Sequence, residues 1–135
     1  MLALTLLSMP LLALAAVPAP PFGPVKVTFS APPEVQFNRR GDSTLTVMAG
    51  KDNKTLSLGG VPDPTDPENV YLRLKPLTLA FGKKFGGTVK LKARLFLCDA
   101  KNGVCTVEKL EKQVRLRPGQ QLALEWKVGD GAFRF

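Results

Sequence analysis

Val89-Lys90-Leu91-Lys92-Ala93-Arg94-Leu95-Phe96-Leu97-Cys98 alternates apolar and polar residues without a break. A strand turns successive side chains to opposite faces, so this run predicts a half-buried strand. Val89, Leu91, Ala93, Leu95 and Leu97 form its apolar face, and Lys90, Lys92, Arg94, Phe96 and Cys98 the other. No part of the chain after residue 24 keeps a helical period for three turns, whereas period two recurs.

Val25-Lys26-Val27-Thr28-Phe29 alternates in the same way and is ended by Pro32-Pro33. Leu45 to Met48 is a second strand, bracketed by Gly41-Asp42 and Gly50. Between Gly59 and Asn69, Pro62, Pro64 and Pro67 recur too closely for a strand interior, which predicts a loop. Val70 to Phe81 alternates again, but Pro76 breaks it into a bent edge strand or two strands. Gly82 to Gly87 reads as a turn, and Val104–Val107, Gln113–Arg117 and Gln121–Val128 complete the set. Seven or eight strands with frequent turns predict an all-β, immunoglobulin-like β-sandwich, with a closed barrel as the rival.

The chain has 135 residues, which fits one domain over residues 25–135. Met1 to Val17 is uncharged and almost wholly apolar, too short for a membrane span and interrupted by Pro10. Ala13-Leu14-Ala15 has the small-x-small form of a cleavage site, so residues 1–16 read as a signal peptide and 17–24 as a Pro-rich linker. An uncleaved N-terminal anchor is the alternative. The expected location is periplasmic or extracellular, with no span in the mature chain. Export puts the two cysteines in an oxidising compartment, where an even count at short spacing favours a disulfide.

Cys98-Asp99-Ala100-Lys101-Asn102-Gly103-Val104-Cys105 is the constellation that carries chemistry. Asn102-Gly103 is a turn dipeptide because both residues tolerate positive φ. A four-residue loop, Ala100 to Gly103, pairs Asp99 with Val104 and sets Cys98 opposite Cys105. A two-residue turn at Asn102-Gly103 would leave the cysteines diagonal instead. Alternation places Cys98 on the polar face beside Lys92, Arg94 and Phe96, where cations favour a reactive thiolate. Asp99 opposes that effect but is placed to relay a proton during exchange. The competing reading is a secreted β-sandwich binding or assembly module in which the bridge is only a structural clip, worth about 2–3 kcal/mol for so short a loop.

Gly87 to Cys98, with Cys105-Thr106-Val107-Glu108-Lys109, resembles the cysteine hairpin in the N-terminal periplasmic domain of the DsbD family of thiol:disulfide interchange proteins. It is also similar to the C-terminal β-domain that follows thioredoxin-like and NHL-repeat modules in another family. The likeness lies in the C-terminal part of the chain, and the hairpin is its specific element. The resemblance implies an immunoglobulin-like fold and a redox role for Cys98 and Cys105. It implies as partner a thioredoxin-like protein or a membrane thiol oxidoreductase.

Other chemistry finds little support. There is no histidine, which removes Ser-His-Asp and Cys-His arrangements and the commonest metal ligand. No cofactor or metal site is expected, since carboxylates with two thiolates make a poor zinc set. Lys plus Arg is 19 against 11 Asp plus Glu, a net charge of +8. The cations are scattered over several strands without a nucleic-acid motif, so solvated faces explain them, with a weak attraction to anionic surfaces. Arg40-Gly41-Asp42 reads as a turn rather than an adhesion signal, and Asn53-Lys54-Thr55 is a glycosylation sequon. Phe133-Arg134-Phe135 resembles an outer-membrane barrel terminus, but one Trp and one Tyr cannot make two aromatic girdles.

Overall fold

The structure, a computed structural model, describes residues 25–82, 85–130 and 133. The leader and the Pro-rich linker, residues 1–24, lie outside the described residues, as do Arg134 and Phe135. Every regular element described is a strand: β1 (Val25–Ser30), β2 (Val35–Asn38), β3 (Thr44–Ala49), β4 (Asp52–Ser57) and β5 (Gly60–Pro62) in the first half. They are followed by β6 (Val70–Leu74), β7 (Leu77–Leu79), β8 (Gly87–Asp99), β9 (Cys105–Leu116) and β10 (Leu122–Lys127). No described helix is long and apolar enough to cross a membrane.

The strands form two separate sheets, a three-stranded one in the order β10-β1-β7 and a seven-stranded one built around β8. The architecture is therefore a sandwich rather than a closed barrel. β9 runs antiparallel along one edge of β8 from Gly87↔Leu116 to Cys98↔Cys105. On the other edge β3 pairs with residues 89–94 of β8 and β2 with residues 97–99. β2 and β3 thus act as one interrupted strand, with residues 39–43 looping out between them. In the smaller sheet β1 pairs in parallel with β10 and antiparallel with β7.

The face of β8 that carries Val89, Leu91, Ala93, Leu95 and Leu97 is fully buried, as the alternation requires. It meets Val25, Val27 and Phe29 of β1 and Trp126 of β10 in one core. Phe29 and Trp126 stack with ring centroids 5.6 Å apart. Burying such aromatic and branched side chains supplies most of the favourable folding energy.

Pro76 divides the 70–81 run into two strands that belong to different sheets, β6 to the larger and β7 to the smaller. Three expectations are corrected. The run of residues from Gly59 to Asn69 is not all loop, because Gly60–Pro62 forms an edge strand on β6 with a bulge at Val61/Pro62. Proline is tolerated at such an edge, where its missing N–H faces away from the ladder. The expected strands Val104–Val107 and Gln113–Arg117 merge into the single strand β9, Cys105–Leu116, since neither glycine nor proline interrupts residues 105–116. Ten strands are described where seven or eight were expected, because β2, β4 and β5 are too short or too exposed to show a readable alternation.

Candidate functional site: the cysteine hairpin

Cys98 and Cys105 end the β8–β9 ladder and are joined by a disulfide, with Cα atoms 3.9 Å apart. The register is that of the four-residue loop: the Asp99 amide donates to the Val104 carbonyl at 2.7 Å. Asp99 and Val104 are thus hydrogen-bonded neighbours, and the cysteines form the next, directly opposed pair.

Local chemistry fixes this loop. The Gly103 amide donates to the Asp99 carbonyl at 2.9 Å, and Gly103 takes φ of 72°, which glycine adopts at little cost. The Asp99 carboxylate accepts the Lys101 amide at 2.9 Å, and the Asn102 side-chain oxygen accepts the Val104 amide at 3.1 Å. These are local side-chain-to-backbone bonds that hold a turn in shape. Asp99 therefore sits next to the disulfide with its carboxylate engaged in the loop.

The two sulfurs differ in setting. Cys105 lies on the unpaired edge of β9 and is exposed, whereas Cys98 on the inner strand β8 is half-buried. Gln36 of β2 is the cross-strand neighbour of Cys98 on its other side. The Asn38 side-chain amide donates to Cys98 Sγ at 3.4 Å, while its oxygen accepts the Arg40 amide at 2.8 Å. Those two bonds orient the Asn38 side chain with its N–H toward sulfur. Neither cysteine belongs to the hydrophobic core.

Gln36 and Asn38 gave no signal in the sequence, because β2 is a four-residue strand whose alternation is too short to read. Only the antiparallel pairing of β2 with β8 brings Asn38 to a sulfur sixty residues away. Phe96 occupies the same outer face as Cys98, with the Arg94 guanidinium 4.9 Å from its ring centroid. Gly41, the centre of the Arg40-Gly41-Asp42 triplet, packs against that ring so closely that a Cβ would collide with it. The triplet is thus part of the loop-out between β2 and β3.

Among the described residues, no group of three or more Cys, Asp or Glu stands close enough to hold a metal ion. No protein-family model and no curated protein matches the chain.

Proposed function

We propose that the domain is an exported, DsbD-like β-domain that exchanges disulfides with thioredoxin-like partners through Cys98 and Cys105. The observation that carries this reading is the exposure of Cys105 at a sheet edge, outside the core, beside a half-buried Cys98. Exposed disulfides are generally the more easily reduced. A partner thiolate attacks Cys105 Sγ, the Cys98–Cys105 bond breaks, and Cys98 leaves as a thiolate facing the Asn38 amide. A second thiolate of the partner then attacks the partner's own sulfur in the mixed disulfide and releases Cys105. Two electrons pass to the domain, the partner becomes a disulfide, and solvent protonates the released thiolates as their pKa values dictate.

The position of the pair at the hairpin end of the ladder favours a second reading, a clip that closes the β8–β9 loop. The chain-entropy model gives such a bridge about 2–3 kcal/mol. Equilibration with glutathione and dithiothreitol buffers separates the two. A potential above about −300 mV, with the fold kept on reduction, supports exchange. A lower potential, with unfolding on reduction, overturns it in favour of the clip.

A further inference from the structure

Five of the cations that look scattered along the chain are brought to one face by the pairing of β8 with β9. On the outer face of the larger sheet, Lys90, Lys92 and Arg94 follow one another along β8 at every second residue. The β9 register sets Lys109 beside Arg94 and Arg115 beside Thr88. Glu111 is the acidic residue of this face on β8 and β9, and Lys90 already neutralises it at 3.1 Å. Among the described residues, Lys92, Arg94 and Lys109 make no salt bridge. The outer face of the smaller sheet is nearly balanced, with Lys26 and Lys127 against Glu125. Of these two strand faces, the one on β8 and β9 carries the larger cationic excess.

β3 adds a column of hydroxyls beside the cations, Thr44 opposite Arg94 and Thr46 opposite Lys92. Thr46 in turn meets the Thr55 hydroxyl of β4 at 3.0 Å. Thr44, Thr46, Lys92, Arg94, Lys109 and Glu111 line a shallow trough of about 400 Å³ on this face.

We propose that this trough and its cationic row bind a linear acidic polysaccharide. Its carboxylate or sulfate groups lie along Lys92, Arg94 and Lys109, and its sugar hydroxyls meet Thr44 and Thr46. Strand geometry spaces successive cations on β8 by about 6.6–6.8 Å, which suits a polymer with charges at regular intervals. The alternatives fit the face less well. Single-stranded nucleic acid needs aromatic platforms for its bases. Phe96 is the one aromatic among β3, β8 and β9, and it is covered by Arg94 and Gly41. A protein partner needs buried aromatic or aliphatic anchors at the centre of its interface, and this trough offers charges and hydroxyls.

The test compares two variants that lose the same charge from opposite faces, Lys92→Gln/Lys109→Gln and Lys26→Gln/Lys127→Gln. Affinity for heparin and for polygalacturonate is measured over a range of salt, with dextran as the neutral control. The proposal expects the first variant to bind both polyanions about tenfold more weakly and its slope of log K against log salt to fall by about 1.5–2. The second variant keeps wild-type affinity, and circular dichroism checks that both fold. Equal losses in the two variants would show general charge attraction and overturn the proposal. Tighter binding of wild type to a single-stranded oligonucleotide or to phosphatidylglycerol vesicles would overturn it as well.

Discussion

Ser43 Oγ accepts the Phe96 amide hydrogen at 3.0 Å, in the gap where β2 has ended and β3 has not begun. The side chain substitutes for a missing main-chain carbonyl and lets β8 pass the interruption with its ladder satisfied. Ser43 is the polar residue that the core buries, at 4% exposure. A buried donor without a partner costs about 1–3 kcal/mol. Ser43→Ala should therefore lower unfolding free energy by about that amount in urea titration. Hydrogen exchange at the Phe96 amide should accelerate more than at Leu91, which lies within the β3-paired part of β8. Equal acceleration at both amides would refute a local role.

Gly41 and Phe96 make a second prediction. The position an added Cβ would take overlaps the near atoms of the Phe96 ring, which cannot swing aside as a chain end could. Gly41→Ala should destabilise the domain by about 1–3 kcal/mol, the usual cost of overpacking. In a Phe96→Ala background the same substitution should cost much less, so a double-mutant cycle should show strong coupling. Additive effects would place the strain elsewhere.

Asp63 supplies a pH dependence. Its Oδ1 accepts both the amide, at 2.9 Å, and the hydroxyl, at 2.8 Å, of Thr65, and these bonds hold its carboxyl below the ordinary 3.8. A carboxylate whose folded pKa is depressed contributes stability above its unfolded pKa and loses it as pH falls through the folded value. The group is fully exposed, so the effect is small and confined to acid below about pH 4. NMR titration should place Asp63 below a peptide aspartate, and Thr65→Ala should return it toward the ordinary value. No change in Thr65→Ala would remove the assigned cause.

The strands long enough to show a sustained apolar–polar alternation were legible in the sequence. β1, β3, β8 and β10 each alternate, and the apolar residues of each lie in the core or, as Leu122 and Leu124 do, pack against it. The loop of Ala100 to Gly103 was legible too, but its register needed the Asp99–Val104 bond to settle it. β4 was missed because Asp52-Asn53-Lys54-Thr55-Leu56-Ser57 is exposed nearly throughout and is held by main-chain pairing with β3. β9 was split because its middle, Leu110-Glu111-Lys112-Gln113, lies at a sheet edge where only half of the inward side is covered. The cationic row was hidden for another reason. Each strand shows only its own charges, and the neighbour of Arg94 is fixed by lateral register, a quantity that no local pattern contains.

The parallel union of β1 with β10 sets a timetable for the chain. Val25 finds its partner in Leu122, and Phe29 its stacking ring in Trp126, so the earliest strand of the domain cannot complete its sheet until the latest has been made. Contacts this distant in sequence are slow to form, because the intervening chain must first be closed into a loop. During synthesis the β8–β9 hairpin can assemble as soon as it emerges, while the Val25 strand, with only β7 to pair with, waits for β10. Until β10 arrives, β1 stands as an open sheet edge, free to pair with whatever strand reaches it first.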